Sequence, residues 1–132
     1  MDDRERRRLA LEFLETFSGP DVEAVLARMT PEPAWAFFAN RFPGRDGVRA
    51  IHRASKELYR EGSHDRRIDG LWVDGDTVLV KTTLRARTFK DEDYENLYMM
   101  ILHFEGDRIA LVEEMMDTAY ANEKFAGWQM GD

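Results

Sequence analysis

Between Tyr94 and Phe104 the chain reads Tyr-Glu-Asn-Leu-Tyr-Met-Met-Ile-Leu-His-Phe, with no Gly or Pro and apolar at nearly every position from Leu97 onward. Turn chemistry brackets the run, with Lys90 to Asp93 before it and Glu105-Gly106-Asp107 after it. Read with a period of two, Tyr98, Met100, Leu102 and Phe104 face one way, and Leu97, Met99 and Ile101 the other. An antiparallel strand with one wet face alternates apolar and polar residues. This one does not, so both of its faces are expected to be covered. The chain's own helices cover one, and a second copy of the chain covers the other, which predicts a homodimer.

The rest of the pattern fits around that strand. Ala10, Phe13, Leu14 and Phe17 recur at helical spacing, predicting a first helix over Arg4 to Ser18 that Gly19-Pro20 stops. Asp21 then caps a short second helix carrying Val22, Val25, Leu26 and Met29, ended by Pro31 and Pro33. Ala34 to Ala39 predicts a first strand, Arg41 to Gly47 a turn, and Val48 to Leu58 a third helix closing at Gly62. Strands are expected over Ile68 to Val73, Thr77 to Thr88, Tyr94 to Phe104 and Arg108 to Asp117, with a short terminal helix capped by Asp117. Helices followed by a meander predict an α+β fold, residues 1–132 forming one domain with three N-terminal helices against a curved, mostly antiparallel sheet.

Composition narrows the function. With 132 residues and 43% apolar side chains there is material for one real core. The absence of cysteine removes disulfides and thiolate metal sites. His52, His64 and His103 have no metal-ligand spacing, so no metal is expected, and no phosphate loop or other cofactor motif is present. A net charge of -7 argues against nucleic acid. The charged run Met1 to Arg8 is neither a signal peptide nor a membrane span, so a cytoplasmic location away from membranes is expected. The cluster Arg6-Arg7-Arg8 reads as the solvated face of the first helix.

The order helix, helix, short aromatic strand, Gly44-Arg45-Asp46-Gly47 opening a third helix, then a meander ending in Glu113-Glu114-Met115-Met116-Asp117-Thr118, resembles the nuclear transport factor 2-like superfamily. Tyr94-Glu95-Asn96 and Phe104 to Ile109 are similar to SnoaL-like, ketosteroid-isomerase-related proteins. The resemblance implies a cone, the cystatin-like α+β barrel, in which sheet and helices enclose an apolar pocket. It also implies several activities, because this fold hosts isomerases, cyclases, epoxide hydrolases and non-catalytic binders. Steroid isomerases of the superfamily use a Tyr and two Asp at places that hold Phe13, Phe37 and Met100 here. The first-strand Tyr and Asn of limonene-type epoxide hydrolases fall on Trp35 and Phe37, and their middle-strand Arg-Asp arm meets only Lys81, Thr83 and Arg85. One acidic place survives, occupied by Glu114.

Glu114 is accordingly the candidate base. If the turn pairs Phe104 with Arg108, Glu114 lies across from Tyr98 on the pocket face, beside Asn96, Met100 and Val112. Desolvation there would raise its pKa toward the range useful to a general base. The competing readings are a structural network with Tyr98, Lys81 or Arg85, or a one-residue slip that exposes it. Tyr98 joins Glu114 as a catalytic candidate, and Phe13, Trp35, Phe37, Asn96, Met100, Val112 and Arg85 are the expected ligand contacts. Whether Val78, Val80, Leu84 and Ala86 or Lys81, Thr83 and Arg85 face the pocket stays open at this point. The expected activity is cofactor-free acid/base proton transfer on an apolar cyclic or polyketide-like metabolite, of isomerase, cyclase or hydrolase type. The alternative is non-catalytic binding of an apolar small molecule.

Overall fold

In the computed structural model, which describes residues 1–130, the Asp2 carboxylate accepts the Glu5 backbone N–H at 2.8 Å and starts α1, Asp3–Ser18. Asp21 caps α2, Val22–Ala27, in the same way. The chain then makes β1 (Met29–Phe37), β2 (Asn40–Pro43), α3 (Gly44–Leu58), β3 (Asp65–Asp74), β4 (Thr77–Arg87), β5 (Asp93–Glu105), β6 (Arg108–Met116) and α4 (Thr118–Lys124). The six strands form one curved, unclosed sheet in the order β2-β1-β6-β5-β4-β3. All neighbours are antiparallel except β1 and β6, which run parallel. Among the described residues no helix is long and apolar enough to cross a membrane.

The predicted elements are present, and their boundaries move for identifiable reasons. Met29 belongs to β1 rather than to the second helix, because Arg28 ends that helix and its carbonyl accepts the Ile109 N–H at 3.0 Å, beginning the pairing with β6. Pro31 and Pro33 fall where the β1–β6 register breaks between Met29 and Ala34, so their missing N–H groups leave no gap in the ladder. Phe38 adopts a left-handed φ of 54° and turns β1 into a hairpin with β2, where the sequence suggests only a turn. A Phe in that conformation is uncommon, and no Gly or Asn marks the site. Gly47, at the start of α3, packs so close that a Cβ would meet the Phe42 backbone at 2.5 Å.

β5 lies between β4 and β6. Its even positions Tyr98, Met100, Leu102 and Phe104 are buried, while Leu97 is exposed and Met99 and Ile101 are half-buried on the outer face. In β4 the residues Val78, Val80, Thr82, Leu84 and Ala86 are buried, which settles that strand: Lys81, Thr83 and Arg85 face outward. The core is centred on Trp35, stacked on Phe17 at 4.6 Å and tilted against Phe13 at 6.1 Å. His52 meets Phe17 edge-on at 5.2 Å and holds the Gly19 carbonyl at 2.9 Å.

One arginine departs from the solvated-face reading. Arg7 and Arg8 are exposed, but Arg6 is only 5% exposed. Its guanidinium lies over the Phe104 ring at 4.7 Å, donates to the Gly106 carbonyl at 2.5 Å and pairs with Asp76 at 2.8 Å. It thereby ties α1 to the β3–β4 and β5–β6 turns. Because the Asp76 side chain is 76% exposed, the ion pair is worth little and packing dominates. Arg6→Ala is expected to destabilise the fold by about 2 kcal/mol and Asp76→Ala by less than about 1 kcal/mol, measured by urea denaturation.

Candidate active site

A cavity of about 460 Å3 opens between the concave face of the sheet and α3, with the C-terminal segment across one side. Leu14, Phe17, Ile51, Ala54 and Leu58 from the helices, Leu84, Met100 and Met116 from the sheet, and Phe125 and Trp128 from the tail make it largely apolar. The polar side chains that reach it include Glu114, Tyr98, Tyr59, His64 and Arg66.

Glu114 arrives on the inner face of β6 opposite Met100, two residues out of the expected register, which would pair it with Tyr98. One residue of the difference comes from the turn, which pairs Glu105 rather than Phe104 with Arg108, and the other from an irregularity between His103 and Phe104. A shift of two preserves which face a side chain takes, so Glu114 still points inward. Burial out of bulk water raises its pKa, opposed by the nearby Arg66 charge and by the Trp35 indole, whose Nε1–H donates to Oε1 at 3.0 Å. That is the only hydrogen bond to this carboxylate among the described residues, leaving Oε2 for a ligand. The suggested structural anchors Lys81 and Arg85 lie on the opposite face of the sheet; Arg85 pairs there with Glu95.

Tyr98 ends a chain of hydroxyls. The Asp117 carbonyl can only accept, which fixes Asn96 with its Nδ2 toward that oxygen at 3.1 Å, and the same amide nitrogen donates to Tyr94 Oη at 3.0 Å. Tyr94 Oη in turn lies 2.6 Å from Tyr98 Oη, a bond in which either hydroxyl can donate. Tyr98 Oη also lies 3.3 Å from Tyr59 Oη and lines the cavity, so its proton can go to Tyr94, to Tyr59 or to a molecule bound there. Burial is the first cause raising the pKa values of Tyr59, Tyr94 and Tyr98, so all three stay protonated donors near neutrality. His64, tilted against the Tyr59 ring at 5.1 Å, is held neutral: desolvation, then the charges of Arg66 and Lys56, push its pKa down to about 4.

The cavity thus brings together Glu114, Tyr98, Phe37 and Met100 of the expected residues. Trp35, Phe13 and Val112 lie in the core behind the wall, where Trp35 acts through its bond to Glu114. Asn96 stands behind Tyr94 and Tyr98 rather than in the cavity. The expectation that Arg85 faces the ligand is corrected, because it is exposed on the outer surface.

Sequence reading missed Arg66. From Leu71 and Val73, whose side chains alternate on the inner face, it would count as outward; a β-bulge between Ile68 and Gly70 shifts the phase and turns Arg66 inward opposite Leu84. Gly70 inside a strand pattern was the available signal. Among the described residues no group of three or more His, Asp or Glu is placed to hold a metal. His52 is in the core, His64 in the cavity wall, and His103 on the outer face beside Glu113 at 3.2 Å.

With this geometry in view, residues 10–112 match the model of the SnoaL-like domain. The chain belongs to the SnoaL-like family, within the nuclear transport factor 2-like superfamily. Glu114 lies just beyond the matched stretch, so its role rests on the geometry described above. No curated protein matches the sequence. The fold is similar to a putative SnoaL-like polyketide cyclase from Jannaschia sp. CCS1, with a TM-score of 0.81 and 12% identity over 96% of this chain and 94% of that one. It is also similar to TerC co-crystallized with polyporic acid (TM-score 0.76, 17% identity, 92% and 98% covered). An LEH-like epoxide hydrolase of M. tuberculosis is another structural relative (TM-score 0.74, 16% identity, 92% and 90% covered). Likeness at these identities shows the shared fold.

The raised pKa of Glu114 has a measurable consequence. A carboxyl that binds its proton more tightly when folded makes stability fall as pH rises from the ordinary value of 4.5 through its own higher folded value. Glu114→Gln keeps the acceptor for Trp35 and removes the titration. The stability advantage of Glu114→Gln over the parent is therefore expected to be smallest below pH 4.5 and to grow with pH to a plateau, in denaturant melts across a pH series. His64 and His52, whose pKa values are lowered by burial, weaken the fold in the opposite sense as pH falls, but do so in both proteins and cancel in the difference.

Proposed function

We propose that the chain is a cofactor-free enzyme acting by proton transfer on an apolar cyclic or polyketide-like metabolite held in this cavity. The observation that carries the reading is Glu114: a desolvated carboxylate in an apolar wall, held by one indole hydrogen bond and with one oxygen unclaimed. A carboxyl in that state takes a proton from an activated C–H bond or from water near neutral pH. In the C–H case, the electron pair moves onto the adjacent carbonyl oxygen, to which the Tyr98 hydroxyl, held in position by Tyr94, donates a hydrogen bond. The proton then returns from Glu114 to the product, so no redox partner is required. Structural kinship with a putative polyketide cyclase and an LEH-like epoxide hydrolase supports the reaction class. Two features support the rival reading, a non-catalytic binder. Glu114 is the only carboxylate side chain in the described cavity wall, and that wall is otherwise mostly apolar.

The two readings part on a simple probe. With 2-tetralone, a cyclic ketone bearing acidic C–H bonds, deuterium uptake from heavy water followed by nuclear magnetic resonance is expected to accelerate over buffer. Glu114→Gln is expected to lose roughly a hundredfold of that acceleration with little change in binding, and Tyr98→Phe roughly tenfold or more. Binding of the ketone with no acceleration by the parent protein would favour the binder.

A further inference from the structure

The cavity contains a cation that the protein does not neutralise. Arg66 is half-buried, lies over the Tyr98 ring at 5.6 Å, and spends Nη1 on two weak acceptors, Thr82 Oγ1 at 3.4 Å and Met100 Sδ at 3.8 Å. The Thr82 hydroxyl is itself committed to the Arg67 carbonyl at 2.7 Å, so it meets the guanidinium with a lone pair only. The Nε and Nη2 edge of Arg66 makes no hydrogen bond among the described residues, and neither atom is sealed from accessible space. No carboxylate of the described residues lies within ion-pair distance of it. Arg6, Arg8, Arg28, Arg49, Arg60, Arg67, Arg85 and Arg87 all have such partners. Other arginines also lack such partners, and Arg41 among them lines the cavity, but Arg41 is exposed, so Arg66 is the half-buried guanidinium of the cavity wall left without a carboxylate.

We propose that Arg66 is the ligand's anion anchor, and that the cavity takes a ring system bearing a carboxylate, received side-on by the free Nε–Nη2 edge. That edge presents two parallel N–H donors, whose geometry matches the two oxygens of a carboxylate. Burying a guanidinium without a counter-charge is costly, and a ligand carboxylate removes that cost while the apolar wall takes the rings. The β-bulge between Ile68 and Gly70 is what points Arg66 at the cavity instead of at solvent. Glu114, the other charged group facing Arg66, forms no ion pair with it and stays available as the base. Specificity follows from the division: Arg66 holds the acidic end of the ligand, and Glu114 with Tyr98 meets the reacting end. The inference rests on the reading of this cavity as the substrate site.

The test uses 2-naphthoate and its neutral counterpart 2-naphthamide, titrated calorimetrically at pH 7.5 into the parent protein and into Arg66→Met, Arg66→Lys and Glu114→Gln. The parent is expected to bind the acid at least tenfold more tightly than the amide. Arg66→Met is expected to lose that preference while still binding the amide and melting as a folded protein; Arg66→Lys should keep part of it. Should Arg66→Met fail to fold, Arg66→Lys decides, because it keeps the charge and loses the fork. Equal binding of the two probes by the parent, no detectable binding of the acid, or an undiminished preference in either Arg66 variant overturns the proposal. Glu114→Gln is expected to keep or strengthen the preference for the acid. The preference can therefore stand even if deuterium uptake shows that Glu114 is no base, and uptake can depend on Glu114 even if the preference is absent, so the two readings fail separately.

Discussion

Trp35 is the contact on which both the core and the site depend. Its ring is fully buried, stacked against Phe17 and tilted against Phe13 of α1, so it joins the helical layer to the sheet. Truncating a buried Trp of this kind typically costs about 3–5 kcal/mol. The indole N–H at the same time needs a partner in an apolar setting, and Glu114 supplies it across the parallel β1–β6 pair. One side chain thus meets two demands: packing fixes the ring, and the fixed ring fixes the carboxylate.

Glu114 is held in place without being neutralised. A full ion pair with Arg66 would favour the charged form and lower the basicity of the carboxylate. The structure instead separates the two groups and gives each a neutral partner: the Trp35 indole for Glu114, and the Tyr98 face with Thr82 for Arg66. Desolvation then dominates at the carboxylate. The buried chain from Asn96 through Tyr94 to Tyr98 fixes the position of the Tyr98 hydroxyl at the cavity wall.

Much of the fold was legible because its signals are local. Gly75 and Gly106 sit at positive φ in the β3–β4 and β5–β6 turns, the caps at Asp21 and Asp117 follow from their positions just before helical stretches, and the inward row of β5 follows from alternation. The places that misled are those where a long-range contact overrides a local rule. Arg6 sits in a run of charges, yet α1 packs against two turns that supply an aromatic face and a carbonyl. Met29 continues a helical stripe, but pairing with β6 claims it for a strand. Phe38 turns the chain without a turn residue.

The sequence by itself determined the fold class, the inward face of β6 and the acidic character of position 114, because strand periodicity survives any register shift of two. Tertiary structure alone decided what surrounds that acid. The turn that pairs Glu105 with Arg108, together with an irregularity between His103 and Phe104, set Met100 rather than Tyr98 opposite it, and alternation in β4 carried Lys81 and Arg85 to the outer surface. A bulge before Gly70 brought in Arg66, which periodicity assigns to solvent. The physical reason is the same in each case: a single extra residue in one strand changes which groups meet across the sheet, and its cost or benefit is set by the partner strand, which local sequence does not contain.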